Sequence, residues 1–542
     1  MKERTKLGLR VLEAALLMGL LGDALLRATP WGINVLLWVG ALAAAILALL
    51  VRWRRDVLNA QGRWLFLPVI LFAAAFAWRD SWTLRFMDAL AVLVSLSLIA
   101  LHSRMGRIDL AGLVEYVVGG LVAGLDAAFG PFVLLLNDIQ WREIPRTGWS
   151  RHMTAVVRGL IIALPLLLIF GGLFMAADAV FEGIVNQAFD LNFDTLFSHI
   201  FLAVFFAWIA GGFLRGLMLG SKLEFRGNGR PVFLPVVPTE TAASEDADSL
   251  DAPVPSKPLR LGIVETSVVL GLLDILFLAF VTIQIRYFFG GAAFAQAATG
   301  LTYAEYARRG FFELVTVATL VLPLLLVAHW LLRKENPVHE RIFRVLAGAQ
   351  VALLFVIMAS AVGRMRLYQS EYGLTELRLY TTAFMGWLAL LFIWFGLTVL
   401  RGERERFACG ALVAAFLVLV TLHAVNPDAL IVRVNVEHAQ VGRAFDAEYA
   451  ASLSADAVPA LFAALPDLGC YNRCVIATDL LSRRSSLESG DWRTWNRSRA
   501  VALSALAESN EHLLALACPG PGVQTTSTQQ DAGLRGPAQE RY

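Results

Sequence analysis

The sequence predicts an all-α fold, a polytopic transmembrane helix bundle of about eleven spans with a small extracytoplasmic α-helical domain at its C-terminal end. Three observations predict it. Hydrophobic residues make up 57% of the chain and charged ones only 17%, against about 25% charged in soluble domains. Mean hydropathy is +0.63. The apolar residues fall in repeated runs of about 20 residues, each enough to cross about 30 Å of hydrocarbon. The runs are continuous rather than alternating, which excludes a barrel. Backbone groups in lipid must bond within their own segment, which leaves helices. A net charge of +2 gives no field of the kind that gathers nucleic acid.

Lys2, Arg4, Lys6 and Arg10 precede the first run, Val11–Leu26. They resemble the charged start of a signal peptide. No small-x-small cleavage site follows, so the run reads as an uncleaved first helix. Trp31–Val51, Leu65–Trp78 and Met87–Leu101 come next, the last two joined by Arg79–Arg85. Leu113–Leu136 is ambiguous. It carries Glu115 and Asp126, and a mid-membrane Asp costs about 2.5–3.5 kcal/mol while each Leu, Val or Phe returns about 0.3–0.6. Hydropathy does not decide whether it spans. Its Gly120-x3-Gly124 pair is a weak small-x3-small match for helix contact. Val156–Ala177, Leu196–Leu219, Gly262–Ile285, Phe311–Leu332, Val345–Val362, Leu379–Leu400 and Phe407–His423 complete the candidates.

Pro-rich, acidic composition over 220–260 marks a disordered cytoplasmic linker. It divides the membrane part into lobes at 1–219 and 261–425. Basic loops occur at Arg52–Arg63, Arg333–Arg344 and Arg401–Arg406, while Asp178–His199 has four acids and no Lys or Arg. All of these fall on their expected sides if Leu113–Leu136 re-enters or lies in the interface. The expectation is a cytoplasmic N-terminus and an extracytoplasmic C-terminal domain at 426–518, followed by a polar, disordered tail at 519–542.

In that domain, Tyr449–Leu465 and Trp492–Leu516 show helical spacing. It holds Cys470, Cys474 and Cys518; Cys409 sits in a span as a small apolar residue. An oxidising compartment allows a disulfide, either Cys470–Cys474 or one to Cys518. The loose Cys470-x3-Cys474 spacing without a His pair speaks against zinc. No catalytic, cofactor or metal motif is present.

Polar residues at membrane depth are the functional candidates. Asp274 sits near the middle of its span, where a carboxylate must find a partner, take a proton or face a water-filled cavity. Two collars flank apolar runs. The first holds Tyr303, Glu305, Tyr306, Arg308, Arg309 and Glu313; the second holds Arg364, Arg366, Tyr368, Glu371, Tyr372, Glu376, Arg378 and Tyr380. Arginines on an outer face point either to internal pairing with the glutamates or to an anionic small ligand. An interfacial aromatic and basic belt is the plainer reading.

Thr302-Tyr303-x-Glu305-Tyr306-Ala-Arg308-Arg309-Gly310-Phe-Phe-Glu313-Leu314, and Arg364-Met-Arg366-Leu-Tyr368-x3-Tyr372-Gly373-Leu-Thr375-x-Leu377-Arg378, resemble a bacterial family of multi-pass membrane proteins. That family is the domain of unknown function 4173, with a 4153 relative. Asn426-Pro427-Asp428 with Arg433 and Asn435, and Asp491-Trp492-Arg493-x-Trp495-Asn496-x-Ser498-Arg499, look family-like too. The resemblance implies a bacterial inner-membrane protein and no reaction. The leading expectation is non-enzymatic: a permease-like carrier, or an envelope sensor or assembly factor, with a polar pocket around Asp274 and the collars. Its partners would be the lipid bilayer and a periplasmic protein or anionic small ligand, with no nucleic acid and no cofactor. One alternative is an enzyme acting on a lipid-linked substrate, like polyprenyl-dependent glycosyltransferases, through Asp178, Glu182, Asp190 and Asp194. Another is a structural anchor that presents a partner-binding helical domain.

Overall fold

The computed structural model describes residues 2–106, 108, 111–141, 193–220, 222–226, 230–234, 262–289, 311–332, 337–488 and 490–517. Among these the chain is helical apart from one antiparallel hairpin, Lys222–Arg226 with Arg230–Leu234, in which Lys222 faces Leu234. The hairpin opens the stretch expected to be a linker.

The membrane helices are α1 (Glu3–Leu26), α2 (Ile33–Trp53), α3 (Ala60–Trp64), α4 (Phe66–Ala75), α5 (Trp82–Met105), α6 (Leu113–Val133), α7 (Phe193–Leu219), α8 (Ile263–Phe289), α9 (Phe311–Leu331), α10 (Pro337–Tyr372), α11 (Glu376–Thr398) and α12 (Phe407–Val425). Nine helices among the described residues are long and apolar enough to cross a membrane. α1 is as long but carries Arg10, Glu13 and Asp23 within it, and Ala60–Ala75 is shorter. The run Val156–Ala177 lies outside the described residues. α10 is 36 residues long, about 54 Å at 1.5 Å per residue. It outreaches the hydrocarbon, so Arg364–Tyr372 stand on its protruding turns rather than in a loop.

Contacts sort the helix ends into two faces. At one face, Arg54 donates to the Ser103 carbonyl, Asn59 meets His102, and Arg344 lies beside Gly402. Arg4, Arg104, Arg215, Arg401, Arg404 and Arg406 also belong to this basic face. At the other, Arg27 donates to Ser198, Arg79 to the His423 carbonyl, and Ser81 meets Tyr380. Exposed tryptophans ring both: Trp64, Trp141 and Trp330 near the basic face, Trp31, Trp82, Trp492 and Trp495 near the other. Such girdles mark the headgroup levels of a bilayer.

The final helices, α13 (Pro427–Gln440), α14 (Ala447–Ser452), α15 (Val458–Ala464), α16 (Cys470–Leu487), α17 (Arg497–Glu508) and α18 (Asn510–Leu516), form a cap over the second face. Leu461, Ile476, Leu480 and Ala502 are fully buried within it. One apolar core runs from α1–α7 through Leu419 and Leu422 of α12 and Leu374 and Leu379 at the α10–α11 turn into this cap; a separate core holds most of α8–α11 with Phe407 of α12.

α6 is an unbroken helix continued by a π-helical turn, Leu134–Asp138. Near its start Gly119 presses against Leu101, close to the Arg104 end of α5. At the other end, Asp138 meets Arg4. Both contact regions lie in the basic half of the bundle. Gly120 and Gly124 face open space, so their spacing makes no helix contact. The close approach is made elsewhere: a Cβ on Gly212 of α7 would collide with the Asp126 and Ala127 carbonyls, the small-residue packing that lipid-embedded helices rely on.

Candidate functional site

Asp126 is not a lone charge. Arg104 donates to it and to the Gly216 carbonyl at 3.1 Å, and Arg215 Nη1 stands 3.7 Å away. Arg215 Nε donates to Asp138 at 2.8 Å, and Arg4 Nη2 donates to the same carboxylate at 2.6 Å. The order Arg4–Asp138–Arg215–Asp126–Arg104 alternates sign throughout. The lone-Asp cost therefore does not apply to Asp126, whose partners come from two other helices, α5 and α7.

The densest polar site is the seam between the bundle and its cap. The turn Phe76–Ser81 joins α4 to α5; the N–H groups of Ala77, Trp78 and Arg79 close on Ala74 and Ala75, and the remaining groups of the helix end need partners from elsewhere. The cap supplies the partners. Asp456 accepts from the backbone N–H of Asp80 at 2.6 Å and of Ser81 at 2.9 Å. Its other oxygen accepts from Arg79 at 3.4 Å and from the Ser498 hydroxyl. Asn496 donates to the Phe76 and Arg79 carbonyls at 2.8 and 2.9 Å, the Arg497 N–H to Ala77 at 2.8 Å, and the Ser498 hydroxyl also to Trp78 at 2.9 Å. Arg79 reaches back to the His423 carbonyl, and Asn426 donates to the Asp456 carbonyl at 3.3 Å.

Two further turns are held the same way. The Ile33 N–H donates to the Trp495 carbonyl at 2.9 Å, and Arg499 donates to Trp31 at 3.1 Å. Asn435 pairs with both backbone groups of Leu374, at 2.6 and 2.9 Å. The Glu376 N–H donates to the Tyr449 hydroxyl at 2.8 Å, and Arg443 forms an ion pair with Glu371. Beneath the seam His423 Nε2 and Asp88 lie 2.8 Å apart, both buried. Burial pushes the Asp428 carboxyl above its ordinary range; hydrogen bonds from Ser454 oppose this and nearby Asp456 adds to it. Burial lowers Arg499 and raises the Tyr449 hydroxyl.

The expected site residues divide. Tyr303, Glu305, Tyr306, Arg308 and Arg309 lie outside the described residues, and Glu313 is exposed in the first turn of α9. In the second collar Tyr368 and Tyr372 pack with ring centroids 4.9 Å apart, and Arg378 lies 4.3 Å over the Tyr368 ring. Arg378 also donates to the Tyr372 and Gly373 carbonyls. Glu371 pairs with Arg443 of the cap, not with a collar arginine. Arg366 is exposed. Asp274 is half-buried on α8, its carboxylate oxygens buried without a hydrogen-bond partner among the described residues. Its neighbours Leu272, Ile275 and Leu276 are exposed.

Cys470 is a free, exposed thiol and Cys474 is disulfide-bonded, so the Cys470–Cys474 pairing is corrected. Both lie on α16 four residues apart, where Cβ atoms stand about 5–6 Å from each other, beyond the about 3.5–4.5 Å a disulfide needs. Cys518 lies outside the described residues. So do Asp178, Glu182 and Asp190, and Asp194 is described as backbone alone. No cluster of three or more His, Cys, Asp or Glu that could hold a metal occurs among the described residues.

Asp80, Ser81 and Asp456 were not singled out from sequence. The signal was Trp78-Arg-Asp-Ser81, a polar tetrad wedged between two apolar runs. The family-like stretches, by contrast, prove to be docking elements: Asn435, Asn496, Ser498 and Arg499 bond across the seam, and Asn426 holds Asp456 from within the cap.

No curated protein and no solved structure matches the chain. A family model described as a domain of unknown function, DUF4153, matches residues 66–464. This is the family named second above, as the relative; the 4173 assignment has no such match behind it. The matched stretch takes in most of both lobes, the turn at Arg79–Ser81 and the Asp456 that holds it, and the protein is accordingly a multi-helix membrane protein of the DUF4153 family.

Proposed function

We propose that the protein is a bacterial inner-membrane platform that holds its helical cap in one fixed orientation on the extracytoplasmic face, as an envelope sensor or assembly factor whose cap meets a periplasmic partner. The observation that carries this reading is the seam. Three separate turns of the bundle are bonded to cap residues by directional contacts, buried or half-buried for the most part, and a domain merely tethered to an anchor needs none of them. Orientation follows from the basic face, since cytoplasmic loops carry the excess of Lys and Arg. On this reading Leu113–Asp138 returns to the face it left, because its contacts at both ends lie in the basic half.

Thiol labelling from each side of the membrane tests it. The native Cys470 should react with an impermeant maleimide from outside, and an Arg404→Cys variant only after the cytoplasmic face is opened. Reaction of both from the same side would overturn the topology and the platform with it.

A carrier is the second reading, favoured by the carboxylate of Asp274, which has no hydrogen-bond partner among the described residues. A hydrophobic carbodiimide should modify Asp274 in membranes, and a transported solute should protect it. Modification that no solute alters would leave the carboxyl as a structural feature of α8.

A further inference from the structure

We infer that the cleft between the two lobes is a binding site for the hydrocarbon chain of a membrane lipid of the polyisoprenyl class. Two cavities of about 700 and 410 Å³ lie between the lobes. Val94, Trp387, Leu412 and Ala415 line both, so they form one path. It follows α12 from Phe407 to Leu422, about 22 Å at 1.5 Å per residue.

The lining decides the chemistry of the occupant. It is apolar except for Ser97, Tyr116, Tyr380 and Trp387, and each of those polar groups is already engaged. Ser97 donates to the Leu93 carbonyl at 2.8 Å, Tyr116 to Ile108 at 3.1 Å and Trp387 to Ala411 at 3.5 Å. The Tyr380 and Ser81 hydroxyls meet at 3.4 Å. Among the described residues no free polar group remains to hold a polar solute, and a water needs two to four polar partners. A hydrocarbon chain needs none.

Two features narrow the class. Leu90, Leu93 and Leu121 line the cleft and are also exposed, so it opens sideways at the depth of the bilayer. The path is longer than one leaflet, about half of 30 Å. An acyl chain that stays in its leaflet would leave part of it empty; a longer isoprenoid fills it. At Tyr380 the path reaches the seam, which places the polar end of the lipid beneath the cap.

The full chain, purified in detergent, should retain a polyisoprenyl lipid detectable by native mass spectrometry. Ala415→Trp, which plugs the stretch common to both cavities, should lower retention at least tenfold; Leu417→Trp, on the exposed side of α12, should not. Equal retention in both variants overturns the proposal. Should Ala415→Trp fail to fold, photo-crosslinking of the wild-type chain decides. Vesicles of phosphatidylethanolamine and phosphatidylglycerol would carry either a diazirine-bearing polyprenyl phosphate or a diazirine-bearing phospholipid. Adducts on Trp387, Leu412 or Ala415 from the polyprenyl probe, in excess over the phospholipid probe, support the assignment. Equal labelling by the two probes, or adducts confined to outward residues such as Leu390 and Leu417, overturn it. A crosslink from the chain's own run Val156–Ala177 into the cleft would assign that space to the protein instead.

Discussion

The two halves of the bundle solve the same problem differently. In α1–α7 the buried charges are paired: Arg104 and Arg215 on Asp126, Arg4 and Arg215 on Asp138, His423 of α12 on Asp88. In α8–α11 the packing is apolar, and the buried polar atoms of Asp274 and Gln350 have no hydrogen-bond partner among the described residues. The first half shares its core with the cap over its whole length; of the second half only Leu374 and Leu379, at the α10–α11 turn, join that core. Lipid tails are as apolar as leucine, so apolar packing alone gives membrane helices little drive to associate, and hydrogen-bonded polar groups add directional bonds between them. The first half and the cap thus form a frame with one arrangement. The second half joins that frame at the α10–α11 turn, through Leu374 and Glu376, and carries its unsatisfied polar atoms away from it.

That contrast can be broken from either side. The largest effect should come from the frame. Asp456→Ala strands the N–H groups of Asp80 and Ser81 and unpairs Arg79, and loss of one partner in a buried ionic network costs about 3–5 kcal/mol. Thermal unfolding in detergent should then show the cap melting ahead of the bundle, where the wild type melts in one step. A single unshifted transition would mean that the seam contributes little.

The second half should respond in the opposite direction. Asp274→Leu removes an unsatisfied buried carboxylate and should raise stability by about 1–3 kcal/mol. A loss of stability would reveal a partner for Asp274 and erase the difference between the lobes.

The smallest effect is one of pH. The Asp428 carboxyl, raised by burial, keeps its proton in the native state where the unfolded chain, with its value near about 4, has released it. Stability should therefore fall as pH rises from about 4 towards the folded value, because the native state binds more protons there. Asp428→Asn should flatten that slope in melting temperatures measured across the range, while an unchanged slope would assign it to another group.

Much of this frame was legible in the sequence, though unevenly. Continuous apolar runs gave the helices, because the length of a span is set by the bilayer. The second collar and the Asn426–Asn435 and Trp492–Arg499 stretches stood out as unusual. Their role did not, because a seam is made by residues such as Arg79 and Asp456 that are 377 positions apart, and no local pattern reports such a meeting. Asp126 left hydropathy undecided for the same reason: hydropathy sums one segment at a time, and its counter-charges sit on α5 and α7. The glycine pair at Gly120 and Gly124 was a spacing without a neighbour, whereas Gly212, which stands at the same spacing from Gly216 and was not singled out, is pressed against the backbone of α6.

Hydrogen exchange on the intact protein tests the central claim most directly. Amides that bond across the seam, those of Asp80, Ser81 and Arg497, should exchange through the same high-energy opening as the cap core around Leu480, with α8–α11 opening separately and more readily. Exchange of the cap core at low free energy while the Phe76–Ser81 turn stays protected would contradict it, since the cap would then be a tethered domain and not part of the frame.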